Sequence, residues 1–471
     1  MNTKFSLLII LFLQALFLAC KTTDKALNTE AIAPSSFRNA DASQADSAGI
    51  ALIAWREFFN DATLQHLIDT AIVHNMDMLL AIKNIEAAQQ TLKQAKAGYI
   101  PDVSLQVGAN TTRPSDNSLN GLSLNQFLGS KHIEDYTAAL ALSWEADIWG
   151  KIKNQKAAAL AGYLQTEEAK KAVQTQLVSY VAQGYYNLLM LQAQLKIAQQ
   201  NLALNDSTLN IIKQQYDVGE ITLLGLEQAE AQRLAAASLI PDFEQQINIQ
   251  ENALSILSGK LPEAVATETT LDKIKIPQNL TTGVPSLLLS RRPDVKRAEL
   301  AVVAARANKQ YAKASMYPSL TISAQGGVNS FKASNWFNIP ASLFGTVAGG
   351  ITQPILQRRQ LKTNYKLAEI DQEKTVIEFR QSVITAVGEV SDALIALDKL
   401  EEKQSIALNR TSKLQSAIHN ADLLFNTGMA NYLEVITAQS NVLQSELELA
   451  QIKKAQLVAM VDLYRSLGGG W

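Results

Sequence analysis

The sequence predicts a mostly α chain with membrane β, built as an internally duplicated helix–strand–strand–long helix–helix unit. Three observations carry this. Asp77, Ala81, Ala87, Ala88, Ala95, Lys96, Ala97 and Pro101 recur as Asp294, Ala298, Ala304, Ala305, Ala312, Lys313, Ala314 and Pro318 at one offset of 217, and Gly219, Leu224, Ala229 and Gly259 recur as Gly428, Leu433, Ala438 and Gly468 at an offset of 209. Four short segments alternate apolar and polar residues with period two, the mark of a strand with one apolar face. Between them lie long stretches with three–four spacing, Gly184, Leu188, Leu191, Leu195, Ala198, Leu202, Asn205, Leu209, Ile212 and Tyr216 in the first repeat and Leu433, Ile436, Ser440, Leu443, Leu447, Ala450, Lys454, Leu457, Val461 and Tyr464 in the second, which implies coiled-coil packing against neighbouring helices. Matches held at a constant offset over long spans mean a repeat.

The chain has 471 residues, 47% of them hydrophobic, and a net charge of -2. That balance lacks the basic footprint of a nucleic-acid binder. The single Cys, Cys20, excludes an intrachain disulfide framework and a Cys-based metal site.

Residues 1–19 read as a signal peptide. Lys4 precedes an apolar run from Leu7 to Ala19, too short to span a bilayer comfortably, and Cys20 follows directly. Leu16-Phe17-Leu18-Ala19-Cys20 resembles a bacterial lipoprotein box, in which the Cys is acylated (palmitate is an expected chain) and becomes the new N-terminus. Phe17 departs from the usual Leu, and an ordinary signal with an incidental Cys is the alternative. Lys21 follows where an Asp would favour inner-membrane retention, which argues weakly against that retention. Residues 20–50 are polar and Ala/Ser-rich and read as an acylated N-terminal linker.

The first repeat spans 51–260. Asp61-Ala62-Thr63 opens helical sequence from about Leu64 to Gly98. Val103, Leu105, Val107 and Ala109 then alternate with polar or small residues (strand about 101–110), a loop is expected over Thr111–Asp135, and Ala138, Leu140, Leu142 and Trp144 mark a second strand (about 136–146). From Lys151 to Tyr216 no Pro interrupts a helical pattern whose length, at 1.5 Å per residue, approaches 100 Å. Residues 261–283 link the halves, and 284–471 repeat the order with strands about 318–328 and 343–353. Each long helix ends in an aromatic residue followed by Gly three positions on: Tyr216 with Gly219, Phe425 with Gly428. Glycine there takes the left-handed conformation that ends a helix, so each reads as a tight turn between two helices.

Ten-residue strands with one apolar and one polar face suit a wall between lipid and water. Four strands cannot close, and an open edge in hydrocarbon leaves backbone groups unpaired, so a membrane reading requires several chains to share one barrel. A soluble half-buried sheet packed on the helices is the alternative.

These patterns resemble the outer membrane efflux proteins, the TolC/OprM-like channels, in their lipid-anchored, NodT-type branch. The resemblance is carried by Leu287-Leu288-Leu289-Ser290-Arg291-Arg292-Pro293-Asp294, Ala298-Glu299, Ala312-Lys313-Ala314 to Tyr317-Pro318, Trp144 to Gly150, the two Gly turns and the ending Tyr464-Arg465-Ser466-Leu467-Gly468-Gly469-Gly470-Trp471. It implies a homotrimer sharing a 12-stranded outer-membrane barrel on a periplasmic α-helical barrel. It also implies docking with a periplasmic adaptor (membrane fusion) protein and an inner-membrane RND-type transporter. The implied activity is passive export of drugs, metal ions or other small molecules, with no catalysis and no cofactor. By the same resemblance the Gly turns lie at a periplasmic gate, where Tyr216, Asp217, Glu220, Phe425 and Glu434 are the candidates. Solvated turn acids are the plainer reading of those carboxylates. Thr437 stands where many members have Asp, Ala430 where Arg is frequent, and Gln357-Arg358-Arg359 where a Gly pair is usual. The competing reading is a lipid-anchored periplasmic helical adaptor or scaffold without a pore. His66, His74, His132 and His419 have no ligand or catalytic spacing, and the seven Met are scattered.

Overall fold

A computed structural model describes residue 37 and residues 50–275 and 290–471. The duplication is visible in element lengths. In chain order the elements are α1 (Trp55–Phe58), α2 (Ala62–His74), α3 (Met76–Ala97), β1 (Asp102–Thr112), α4 (Leu119–Leu128), β2 (Ile133–Ala146), α5 (Lys151–Asp217), α6 (Leu223–Leu257), α7 (Pro293–Ala314), β3 (Ser319–Ser330), β4 (Leu343–Thr352), α8 (Gln360–Asn426) and α9 (Tyr432–Ser466). Helices α3 and α7 each have 22 residues, α5 and α8 each 67, and α6 and α9 each 35. Among the described residues no helix is long and apolar enough to cross a membrane.

The helical stretch expected from Leu64 to Gly98 is two helices. Asn75 sits extended between them (φ -61°, ψ 134°), and its side chain accepts from the N–H groups of Asp77 and Met78, capping α3. Its amide donates to the Leu257 carbonyl at 3.0 Å, which fixes the joint against the end of α6. The loop expected over Thr111–Asp135 contains α4, started by Ser118 accepting from Gly121 N–H and stopped by Gly129 at φ 60°.

The strands form one antiparallel sheet in the order β1-β2-β3-β4. Hairpin registers obey the repeat: Asp102 pairs with Ser143, and Ser319 pairs with Thr352, which are those two residues advanced by 217 and 209. One face carries Val103, Leu105, Val107, Leu140, Leu142, Ile322, Val347 and Ile351; the other carries Ser104, Gln106, Ser143, Ser323, Gln325 and Thr346. The apolar face is uncovered, Val347 being 80% and Ile351 74% exposed. Aromatic side chains mark both ends. Trp149 stacks on Tyr317 and donates to the Pro318 carbonyl at 2.8 Å near the helical end, while Tyr136, Trp336 and Phe337 cluster at the far end. An apolar band between two aromatic girdles, backed by a polar face, is the construction of a transmembrane barrel wall.

The main core is a belt around the middle of the long helices, where α2, α5, α7, α8 and α9 meet. Phe58 stacks on Tyr464 with ring centroids 4.1 Å apart, and the Tyr464 hydroxyl donates to the Ile53 carbonyl at 2.7 Å. Burial pushes that hydroxyl up to about 12. The Arg-Arg-Pro-Asp motif supplies the belt's charged pin. Arg292 donates to Asp294 Oδ2 at 2.6 Å, to Glu389 at 2.8 Å and to the Ser466 carbonyl at 3.1 Å, tying α7 to α8 and α9. Burial opposes its charge, but Asp294 and Glu389 outweigh it and hold the guanidinium above its usual range. Burial likewise works against the Asp294 carboxylate, and Arg292 overcomes it, leaving that carboxyl low.

Of the heptad expected in α5, Leu188, Leu191, Ala198, Asn205, Leu209 and Ile212 are buried, Gly184, Leu195 and Leu202 are half-buried, and Tyr216 is exposed. In the turn-proximal half of α9 the buried stripe is Val435, Gln439, Val442 and Ser445, not the expected Leu433, Ile436, Ser440 and Leu443. Polar residues hid it, because Gln439 donates to Thr208 and Ser445 pairs with Thr411, each at 2.7 Å. At the base of α8, Arg358 and Arg359 both take positive φ (48° and 65°); Gly150 occupies the position equivalent to Arg359 in the first repeat, at φ 72°.

Candidate functional site at the helix turns

Both turns are built alike. After α5, Gly219 at φ 81° lets Glu220 N–H reach the Gln215 carbonyl at 2.8 Å; after α8, Gly428 at φ 73° lets Met429 N–H reach the Leu424 carbonyl at 2.8 Å. These 6→1 bonds satisfy carbonyls that a helix end leaves open. The next helices start on side-chain caps. Thr222 accepts from Gly225 N–H, and Asn431 accepts from the N–H groups of Leu433 and Glu434.

A small core joins the two turns: Leu209, Ile212, Ala229, Phe425 and Val435 are buried together, with Ile221, Leu226 and Tyr432 packed around them. Tyr432 bridges the repeats. Its hydroxyl donates to Gln228 Oε1 at 2.7 Å, and its ring lies against Gly225, where an added Cβ would come within 3.0 Å of it. Sequence reasoning missed Tyr432, Gln228 and Gly225. The signal was available only as a Tyr one residue past a helix-capping Asn and a Gly inside a helix.

Of the residues expected at a gate, the structure groups five around these turns. Tyr216, Asp217, Glu220 and Glu434 are exposed. Phe425 is 6% exposed and holds the interhelical core. Asp217, Glu220 and Glu434 make no ion pair among the described residues, whereas nearby Lys213 meets Glu230 at 3.4 Å and Arg233 meets Asp206 at 2.7 Å, joining α5 to α6. Burial pushes the Asp422 carboxyl up, opposed by His419. Cys20 lies outside the described residues.

The turns thus end two coiled hairpins that run from a membrane-type sheet through a packed belt. The family model for the outer membrane efflux protein matches residues 67–260 and 284–469, both repeats of the chain. The chain belongs to the outer membrane efflux protein family. It is 31% identical over 421 residues to the cation efflux system protein CusC of Escherichia coli O6:H1, covering 88% of each chain. It is 30% identical over 424 residues to the probable outer membrane lipoprotein SilC of Salmonella typhimurium, again 88% of each. Its fold superposes on crystal structures of CusC, studied for folding and transmembrane channel formation, with a TM-score of 0.78 and 29% identity, covering 93% of this chain and 100% of that one. This family member is therefore an outer-membrane efflux channel, a transport protein, with its helices as the periplasmic extension.

Proposed function

We propose that this efflux channel is the exit duct of a tripartite system, passively passing drugs, metal ions or other small molecules from an inner-membrane RND-type pump and a periplasmic adaptor to the exterior. The observation that carries the reading is the sheet: four strands with a lipid-suited face, a polar face and two open edges, continuous with helices of 67 residues. Unpaired edges are intolerable in hydrocarbon, so several copies must share one closed barrel, and membership of the efflux-protein family points to three copies with four strands each. The pump supplies the driving force and the channel supplies a polar path.

The two Gly turns form the gate in this reading. Three copies of Asp217, Glu220 and Glu434 around one axis attract cations and repel anions. Tyr216 narrows the passage, while Phe425 acts from inside the hairpin core that positions it. The cation-efflux name of CusC agrees with such a tip. Acylation of Cys20 anchors the mature chain, in keeping with the lipoprotein name of SilC.

Single-channel recording in a planar bilayer, with the detergent mass taken from the same sample, tests the duct. A trimer giving small, mostly closed, cation-preferring channels is expected. A monomer without conductance overturns the shared-barrel duct.

A further inference from the structure

The duplication contains a template for the contact between copies. Inside one chain, repeat one meets repeat two along β2 and β3, with Tyr136 opposite Ser330, Leu142 opposite Ala324 and Ala146 opposite Leu320. The free edges β4 and β1 are the repeat equivalents of β2 and β3. The flanking helices set the two shifts, 217 from the end of α3 at Ala97 to the end of α7 at Ala314 and 209 from the start of α5 at Lys151 to the start of α8 at Gln360, and the hairpin registers, which fix only their sum, agree: β2 advances to β4 by 209 and β3 steps back to β1 by 217. Carrying the internal seam through those two shifts fixes a register for the external one.

We infer that β4 of one copy pairs antiparallel with β1 of the next, with Ile351 opposite Val107 of the partner subunit, Gly349 opposite Ala109 of the partner subunit and Ala348 opposite Asn110 of the partner subunit. This rests on the shared-barrel reading above and adds the register, which that reading leaves open. The derived pairing keeps the two faces aligned, as the three internal registers require of any closing seam. Ile351 and Val107 both lie on the apolar face, and Thr346 and its derived opposite, Thr112 of the partner subunit, both lie on the polar face. A slip of one residue would set Ile351 against Gln106 of the partner subunit and turn every luminal side chain toward lipid.

The seam also accounts for the edges as they stand. A Cβ added to any of the glycines at its centre, Gly108, Gly349 and Gly350, would meet nothing within 4 Å, which leaves room for a neighbouring strand; in the internal seam Gly327 lies hard against Ala138 and Ala139, and Gly326 meets only the Phe344 carbonyl at 3.8 Å. β2, paired on both sides, runs for 14 residues, and β4, paired on one, for 10. The partner strand extends β4 past Thr352, with Gln353 falling opposite Leu105 of the partner subunit.

Paired cysteines read the register. Two pairs are needed, because residues on one face share the wide hydrogen-bonded spacing and those on the other the close one. The full-length protein carries Ile351→Cys with Val107→Cys, or Ala348→Cys with Asn110→Cys, and is oxidised in detergent. The parent with Cys20 alone and each single substitution serve as references, and Ile351→Cys with Val103→Cys or Thr111→Cys places the thiols four residues out of register. Expected is a disulfide-linked product in at least one in-register pair that stops at three chains, with tenfold less in both displaced pairs. Dominant linkage in a displaced pair, or a trimer by mass with no linkage in either in-register pair, overturns the register and leaves the trimer standing. Monomer mass with no linkage anywhere overturns the shared barrel itself.

Discussion

The Tyr432 hydroxyl donates to Gln228 Oε1 at 2.7 Å, joining the turn of one repeat to the turn of the other across 204 residues of sequence. If opening separates the two hairpins, this bond is lost on the way. A net hydrogen bond is worth about 0.5–1.5 kcal/mol. Tyr432→Phe is therefore expected to raise single-channel open probability by roughly two- to tenfold, with the ring still packed on Gly225. An open probability equal to that of the parent removes Tyr432 from the gate.

The acids at the turns, without an ion pair among the described residues, make a second prediction. Replacing Glu220 and Glu434 together with Ala removes six carboxylates from a trimer tip, and the cation-over-anion permeability ratio should fall severalfold, most clearly at low salt where screening is weak. The reversal potential under a salt gradient measures it. An unchanged ratio means those acids are only solvated turn residues.

Arg292 holds two carboxylates and a helix-end carbonyl from a buried position. Arg292→Ala leaves Asp294 without this partner and Glu389 with Arg465 at 3.7 Å, and because both carboxylates are partly exposed the cost falls below the roughly 3–5 kcal/mol of breaking a fully buried pair. A clear fall in the thermal midpoint in detergent is expected at pH 7. Because the Asp294 carboxyl is held below its ordinary value, the stabilisation is present above the unfolded carboxylate range and is lost as pH falls through the folded value. The gap between parent and variant should accordingly narrow below about pH 4. A gap that stays constant across that range contradicts the assignment.

Arg359 holds a left-handed backbone that Gly150 holds without strain in the first repeat. The left-handed region costs a non-glycine residue roughly 1–2 kcal/mol. Arg359→Gly is expected to raise the thermal midpoint by a few degrees. A lowered midpoint would show that the guanidinium contributes more than the strain.

Cys20→Ser tests the anchor. Labelled palmitate should enter the parent and not the variant, and mature parent chain should begin at Cys20 by mass. Equal labelling of the two proteins excludes Cys20 as the acylated residue.

Much of the molecule was legible in the sequence because its information is local and repeated. Three–four spacing and the absence of Pro determined α5, the repeat carried that helix over to α8, period-two alternation determined four strands and their apolar faces, and constant offsets determined that the chain is built twice. Where the reading missed, a capping side chain had a partner far away or a polar residue hid a stripe. Asn75 divides one expected helix because it caps α3 and bonds Leu257, and Gln439 and Ser445 sit in a buried seam because Thr208 and Thr411 meet them. Only the tertiary structure decided that Phe425 is interior, that Tyr432 and Gln228 meet, and that Arg292 pins three helices. Periodicity records which face of an element is apolar, but which residues of two faces touch depends on how elements some two hundred residues apart are set against each other, and a single chain's pattern carries no term for that.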